Sequence, residues 1–277
     1  MDRIRRNERM AVLTRVLTAS PNRIFTLSHF CELFGAAKST MSEDVDILGS
    51  TLEQFGLGRL ETVTGAAGGV RYRACTAPAD ALRFVRSVCK ELSTPSRVLP
   101  GGFLYLSDIL SAPEIVRKMG VVIADQFYEA APDFVLTMET KGIPVALMTA
   151  DSLGVPLVIA RRSSKVYEGS AVNINYVSGS AGHIETMSLS RRAVHEGQRA
   201  LIVDDFLKAG GTAKGMIDLM GEFSVQVVGT AFVMATAQPE HKRITGEKAL
   251  MIMNVERDNP ESLTVEPADW LAQLAGE

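Results

Sequence analysis

The chain has 277 residues, of which 46% are hydrophobic and 22% charged, with a formal net charge of −3 and a mean hydropathy of +0.11. This composition predicts one large or two ordinary globular domains, and it excludes a disordered chain or one coated in positive charge. The apolar runs are far shorter than the roughly 20 residues of a membrane-spanning helix, and the charged start MDRIRRNERM shows no secretory signal, so we expect a cytoplasmic protein.

Charge is unevenly distributed along the chain. Residues 1–74 carry ten Lys and Arg against eight Asp and Glu, a net of +2, whereas the remainder carries a net of −5. A mildly basic first segment therefore precedes an acidic body. Cys31, Cys75 and Cys89 are spaced 44 and 14 residues apart, which suits neither a disulfide framework nor a metal site, so we expect buried or half-buried thiols.

The chain begins with two predicted helices. The second spans about Thr26 to Phe34 and ends at Gly35. The first spans about residues 6–18, and Arg9 lies off its apolar stripe, which consists of Met10, Leu13 and Leu17.

The third predicted helix has the clearest pattern and ends at Gly56. Thr40, followed three residues later by Glu43, predicts a capping box at its start. Its apolar residues recur at steps of 4, 3, 4 and 3, at Met41, Val45, Leu48, Leu52 and Phe55.

A β-hairpin is predicted next, from the alternating segments 59–63 and 70–73 and the glycine-rich residues 65–69 between them. Three helices followed by a hairpin predict a winged helix-turn-helix over residues 1–74, although a helical dimerisation module has a similar pattern. Basic and hydroxyl side chains suit DNA phosphates. The expected DNA-binding residues are Arg3, Arg5, Arg6, Lys38, Ser39, Thr40, Ser42, Arg71 and Arg73.

Two features limit this DNA-binding assignment. The arginines of the N-terminal arm are also explained as solubilising charge. Glu43, Asp44 and Asp46 repel the DNA backbone, so only the first turn of the third helix can lie close to DNA, unless one acid accepts a hydrogen bond from a cytosine amino group. With a net charge of +2 the segment would bind DNA weakly, so we expect a dimer or several operator boxes.

Residues 75–277 form the second predicted domain, in which strands alternate with helices after a breaker-rich helical connector at 76–100. Strands are predicted at 134–138, 155–160, 172–177, 200–203 and 225–234, and helices at 144–153 and 212–223. Such alternation predicts an α/β fold with a largely parallel sheet covered on both faces.

The strongest functional signal is the segment ALIVDDFLKAGGT at residues 200–212. An apolar strand delivers Asp204 and Asp205 to its carboxyl end, where open α/β sheets bind ligands. Gly210 and Gly211 open a helix at about Thr212, and such a loop suits a phosphate. The carboxylates would repel a phosphate, so they face sugar hydroxyls or magnesium. The segment predicts a ribose 5-phosphate site, with an acidic helix-capping turn as the alternative.

This segment resembles the phosphoribosyl pyrophosphate (PRPP) motif of type I phosphoribosyltransferases. The resemblance implies that Asp204 and Asp205 hold the ribose and that residues 208–212 hold the 5-phosphate. Ala209 stands where that family usually has Thr or Ser, so one phosphate-binding hydroxyl is missing. The turn at 139–144 likewise resembles the family's pyrophosphate loop, in which Lys141 would meet the diphosphate.

A basic cluster follows the next strand. Arg161, Arg162 and Lys165 either hold the same diphosphate or belong to a solvated loop. The expected effector-binding residues are Thr140, Lys141, Gly142, Arg161, Arg162, Asp204, Asp205, Phe206, Lys208, Ala209, Gly210, Gly211 and Thr212, and no metal-ligating residue is predicted.

Residues 178–187 fall where phosphoribosyltransferases carry a mobile catalytic loop. His183 and Glu185 lie in this segment, but a lone loop histidine is usually a solvated side chain. No base-binding hood is recognisable, and we expect Trp270 to pack as an anchor. The site is therefore predicted to hold PRPP without consuming it.

Over nearly its whole length the chain resembles the purine operon repressor family, PurR, of Gram-positive bacteria. The resemblance implies a homodimeric, non-enzymatic repressor of purine synthesis and salvage genes that binds operator DNA and is released by PRPP. It also implies guanosine tetraphosphate as a competing co-repressor, and PRPP accompanied by magnesium. The alternative is an active purine phosphoribosyltransferase with an appended DNA-binding domain. The segments that carry the resemblance are 37–44, 65–70, 99–103, 140–144, 168–170, 175–180 and 204–212.

Overall fold

The computed structural model describes residues 4–65, 68–99, 103–163, 169–178, 182–256 and 259–276. The chain divides into two compact units, the first extending to Ala77 and the second beginning at Pro78, with Asp151–Gly154 grouped with the first. Arg3 and Lys165, named above as candidate binding residues, lie outside the described residues, as do parts of four of the segments that carry the family resemblance.

The first unit is a winged helix-turn-helix, as the sequence predicts. Thr26 caps the second helix by accepting a hydrogen bond from the backbone N–H of His29, and Gly35 ends it with a φ of +60°, a left-handed conformation that glycine adopts without a steric penalty. Its elements are α1 (Arg6–Thr18), α2 (Leu27–Phe34), α3 (Lys38–Gln54), β1 (Arg59–Val63) and β2 (Gly69–Arg73), with β1 and β2 antiparallel.

Apolar side chains from all three helices and the hairpin meet in one core. The predicted stripe of α3 is buried up to Leu52, but Phe55 is 67% exposed because the helix ends at Gln54. The core includes Leu13, Leu17, Phe30, Met41, Val45, Leu48, Leu52 and Val70.

Two local predictions for this unit are wrong. Arg9 was expected outside the buried face of α1, but it is buried, with 8% of its surface exposed, and forms an ion pair with Asp44 of α3. Thr40 and Glu43 form no capping box, because α3 begins two residues earlier, at Lys38, with Ala37 as its N-cap. Glu43 instead forms an ion pair with Arg6.

The second unit is an α/β domain, as the sequence predicts. Its helices are α4 (Pro78–Leu92), α5 (Ser107–Ser111), α6 (Pro113–Phe127), α7 (Ile143–Leu153), α8 (Gly211–Glu222) and α9 (Asp269–Ala275). Its strands are β3 (Val98–Leu99), β4 (Phe103–Leu104), β5 (Phe134–Met138), β6 (Leu157–Ala160), β7 (Ala171–Val177), β8 (Ile184–Ser190), β9 (Arg199–Leu207), β10 (Gln226–Thr236), β11 (Lys248–Glu256) and β12 (Asn259–Pro267).

Six of these strands form the central sheet in the order β12-β11-β10-β9-β5-β6. All neighbouring pairs are parallel except β11 with β12. The neighbouring interior strands β9 and β5 are buried over most of their length, as strands covered on both faces must be. The largely parallel sheet is therefore confirmed.

The segment after β6 differs from the prediction. The predicted strand at 172–177 forms, but among the strands that the structure describes β7 pairs with β8 alone, in an antiparallel hairpin outside the six-stranded central sheet. The predicted mobile loop at 178–187 is a strand from Ile184 onward, because Tyr176 and Met187 are buried in the domain core. Residues 179–181 lie outside the described residues.

Three further predictions, for Trp270, the cysteines and membrane-spanning helices, can be compared with the structure. Trp270 packs as expected: its indole N–H donates to the carbonyl of Ala249 at 2.6 Å. Cys89 is buried, and Cys31 and Cys75 are half-buried, as predicted. Within the described residues no helix is both long and apolar enough to cross a membrane.

Candidate effector site and DNA-binding face

The candidate effector site lies where the connections from two neighbouring strands run in opposite directions across the sheet. From β5 the chain passes through α7 to β6 at one edge, whereas from β9 it passes through α8 to β10 in the opposite direction. The ladder between β5 and β9 ends at Leu136 and Ile202, so the two strands are no longer paired where Asp204 begins. Such a switch point leaves a crevice at the carboxyl ends of the strands, where α/β proteins bind ligands.

Asp204 and Asp205 stand in this crevice within the last residues of β9, rather than just after the strand. Asp204 is 7% exposed, and the backbone N–H of Asp205 donates to its Oδ1 at 3.0 Å. Burial raises the pKa of Asp204 well above its usual range, and the charge of Asp205 raises it further. Burial also raises the pKa of Asp205, against the lowering effect of Lys141. The pair is therefore poised for a ligand that stabilises its charge.

The loop after β9 ends in a helix N-terminus with free backbone donors. Gly210 is the N-cap of α8 and has a φ of +80°, which favours glycine. The first hydrogen bond of the helix runs from the backbone N–H of Lys214 to the carbonyl of Gly210. The N–H groups of residues 211–213 therefore have no carbonyl partner within the helix. These donors, with the helix dipole, suit a phosphate.

The loop that carries Lys141 packs directly on the acid pair. Gly142 is buried, and a Cβ added there would overlap Oδ1 of Asp204 and lie 2.7 Å from Oγ1 of Thr137. Only glycine leaves room for this approach. Lys141 is exposed near Asp205 and lowers the pKa of that residue electrostatically. Thr140 is also exposed, but it does not line the cavity that contains the two carboxylates.

A cavity of about 390 Å³ joins these elements, within the usual size range for small-molecule sites. It is lined by the acid pair, by the whole of residues 206–212 and by Lys141, so most of the predicted effector residues share one space. Phe103, which the sequence did not predict as a site residue, also lines it and is 69% exposed. A short hairpin of β3 and β4 positions this side chain.

Arg161 and Arg162 do not line this cavity. The backbone N–H of Arg162 donates to Glu139 at 2.7 Å, and its guanidinium donates to Glu185 at 2.8 Å. The hydroxyl of Tyr176 also donates to Glu185, at 2.6 Å. Burial followed by this hydrogen bond raises the pKa of Tyr176 to about 12. In this arrangement the two arginines are engaged by protein carboxylates.

The described candidate DNA-binding residues of the first unit form three groups: the start of α3, strand β2, and the chain at the start of α1. Lys38, Ser39 and Ser42 are exposed at the start of α3, and Thr40 is half-buried. Arg71 and Arg73 on β2 both pair with Glu61 of β1. Arg5 is exposed in front of α1, whereas Arg6 pairs with Glu43 and Asp44. The start of α3 is therefore the most accessible of these groups.

Comparisons with known proteins match both units. Residues 5–74 match the N-terminal family of the bacterial purine repressor, and residues 106–267 match the phosphoribosyl transferase domain. The chain is 41% identical over 269 residues to the purine biosynthesis transcriptional repressor PurR of Bacillus subtilis, covering 97% of this chain and 94% of that protein. It is 42% identical over 228 residues to the purine biosynthesis transcriptional activator PurR of Lactococcus lactis, covering 82% and 84%.

Among solved structures, the adenine phosphoribosyltransferase of Rhodothermus marinus superposes with a TM-score of 0.51 at 23% identity. The match covers 61% of this chain and 99% of that one. At this identity the similarity is one of fold.

Proposed function

The chain belongs to the PurR family of transcriptional regulators of purine biosynthesis, and we propose that it is a repressor of purine synthesis and salvage genes that PRPP releases from operator DNA. In this proposal the winged helix holds the duplex and the phosphoribosyltransferase-like domain senses the metabolite. The protein then acts in the cytoplasm, where bacterial DNA is found.

One observation carries the proposal for the effector: a single cavity is lined by the carboxylates of Asp204 and Asp205, by the glycine-containing loop at residues 208–212 and by Lys141. Ribose hydroxyls donate to Asp204 and Asp205, and the N–H groups at the start of α8 receive the 5-phosphate. Lys141 and Lys208 are exposed on the cavity wall and supply positive charge for the diphosphate. Ala209 stands where the resembled motif usually has Thr or Ser, so the loop carries one phosphate-binding hydroxyl fewer.

Magnesium fits the same residues when it accompanies PRPP. Hard divalent cations prefer carboxylate and phosphate oxygens, and the Asp204–Asp205 pair is the acidic group on the cavity wall. Bound there, the ion would offset the charge of the diphosphate. The protein's own contribution is to hold the two carboxylates side by side.

Guanosine tetraphosphate is proposed as a competing ligand of the same cavity. Phe103 and Phe206 lie on its wall and present aromatic surface on which a purine base can stack. The phosphate loop serves either ligand, so the two exclude each other. PRPP has no base. The aromatic surface of Phe103 and Phe206 would therefore interact with guanosine tetraphosphate but not with PRPP.

The proposed repressor is a homodimer without transferase activity. A first segment with a net charge of +2 neutralises few phosphates, so two copies on neighbouring half-sites would supply the affinity that one lacks. Ala209 removes a phosphate-binding hydroxyl from the loop. Pyrophosphate release on mixing the protein with PRPP and any nucleobase would contradict this part of the proposal.

A gel-shift titration tests the proposed function. The double variant Asp204→Ala/Asp205→Ala should bind operator DNA with unchanged affinity but resist release by PRPP, because the ribose-binding carboxylates are gone. The double variant Asp218→Ala/Glu222→Ala removes two exposed acids from α8 in the same domain and should respond like the wild type. Release of the first variant at wild-type PRPP concentrations would reject the assigned site.

A further inference from the structure

The acids at the start of α3 have different surroundings. Asp44 is fully buried and accepts from Nε of Arg9 at 2.7 Å and Nε of Arg6 at 3.0 Å. Glu43 also pairs with Arg6. Two of the three acids that should repel DNA are therefore neutralised by arginines of α1.

Asp46 is the exception. It is exposed, and within the described part of the chain its carboxylate makes no ion pair or side-chain hydrogen bond. It stands in the third turn of α3, too far from the helix N-terminus for a favourable interaction with the dipole. Aspartate is also a poor helix former. Neither α3 nor the core of the unit is stabilised by this carboxylate.

The position of Asp46 is nevertheless that of a DNA-reading side chain. Lys38, Ser42 and Asp46 recur every four residues and border one open cleft of about 510 Å³. The opposite walls of the cleft are the start of α2 at 26–28 and the hairpin at 62–65 and 68–70. The recognition helix of a helix-turn-helix enters the major groove with its N-terminal residues against base edges, and Lys38, Ser42 and Asp46 are all exposed on the side of α3 that borders the cleft.

A carboxylate on that surface is repelled by phosphates and needs a hydrogen-bond donor. In the major groove the base-edge donors are the amino groups of cytosine and adenine. Adenine places its N7 acceptor beside the amino group, which repels a second acceptor, whereas the cytosine edge does not. A carboxylate therefore selects cytosine.

We propose that Asp46 determines operator specificity by accepting a hydrogen bond from the exocyclic amino group of a cytosine in the major groove. The proposal rests on the DNA-binding role of the winged helix. Ser42 and Lys38 lie one and two turns nearer the helix N-terminus and would contact the neighbouring phosphates. In this orientation α3 lies in the major groove with Asp46 against a base and Lys38 against the DNA backbone.

The test is selection of duplexes from a randomised library by the full-length protein, followed by affinity measurements on single-base variants of the selected site. The wild type should require cytosine at one position, with a loss of about fivefold or more for any other base. Asp46→Asn should shift that preference to adenine, because an amide pairs with both N6 and N7 of adenine. Asp46→Ala should lose the preference.

The matched control is Glu43→Gln, which removes one charge from the same helix and should leave the selected sequence unchanged. If Asp46→Asn keeps the cytosine preference, or binds every duplex more tightly by one common factor, the carboxylate only repels DNA and the proposal is overturned. A selected preference for adenine in the wild type overturns the choice of cytosine. Failure of the wild type to select any duplex would instead reject the DNA-binding role itself.

Discussion

At the scale of single residues, the candidate effector site holds two carboxylates whose charged forms are unfavourable. Asp204 is buried and the adjacent Asp205 is half-buried, and both have raised pKa values because burial disfavours their charged forms. A core that only had to be stable would place apolar side chains here. The pair is explained by a ligand that brings hydroxyl donors or a cation to the site.

This charge predicts an unusual stability profile for the unliganded protein. An unfolded aspartate titrates near pH ~3.9, and the native pKa of Asp204 lies higher, so the native state holds more protons in the window between the two values. The free energy of unfolding then falls as pH rises through that window. Asp204→Asn should remove this loss and be more stable than the wild type at neutral pH, as measured by urea denaturation.

The same variant should lose its response to ligand. PRPP at 100 times its Kd should raise the unfolding free energy of the wild type by about 2.7 kcal/mol and leave Asp204→Asn nearly unchanged. A variant that is less stable than the wild type at neutral pH and is still stabilised by PRPP would contradict the role given to Asp204.

At the scale of elements, the sequence predicts segments with a strong period or a turn signal. The stripe of α3, the glycine stop at Gly35 and the strand-to-helix turn at 204–212 are all found close to where they were expected. Each is encoded locally, by apolar spacing or by a residue with special backbone freedom.

Other parts of the fold depend on tertiary contacts. Arg9 is buried because Asp44, distant in sequence, provides a partner for its charge. The β7–β8 hairpin is not part of the central sheet, although β7 has an ordinary strand pattern. The alternation of apolar residues along one strand does not determine which strand it pairs with. Phe103 reaches the cavity through a short hairpin that has no periodic signal.

The loop between β5 and α7, which carries Gly142, is expected to hold Asp204 in its binding position. Gly142→Ala should displace Asp204 and weaken PRPP binding by tenfold or more, at a stability cost of about 1–3 kcal/mol for an overpacked site. DNA affinity should not change. Gly221→Ala in α8 has open space around the new methyl group and is the matched control. Calorimetric titration that gives both variants the wild-type Kd would show that the loop does not support the acid pair.

At the scale of the whole molecule, net charge differs between the segment proposed to bind DNA and the segment proposed to bind the effector. The first 74 residues carry a net of +2 and the remainder a net of −5. The anionic effector that we propose would therefore bind within the acidic part, held by the lysines and backbone donors of the cavity. Two ligands that bind different units influence each other only through a coupling free energy, and that coupling is reciprocal. If PRPP weakens operator binding by some factor, the operator must weaken PRPP binding by the same factor.

The central claim is that PRPP binding in the cavity at Asp204 weakens the binding of operator DNA to the winged helix. Because such coupling is reciprocal, it is tested most directly by measuring both affinities. The Kd of PRPP with magnesium is measured by calorimetry with and without saturating operator duplex, and the Kd of the duplex by fluorescence anisotropy with and without saturating PRPP. We predict that both affinities fall by one common factor of at least about 5, within the usual range of allosteric coupling. An unchanged PRPP affinity on the DNA-bound protein would contradict the account.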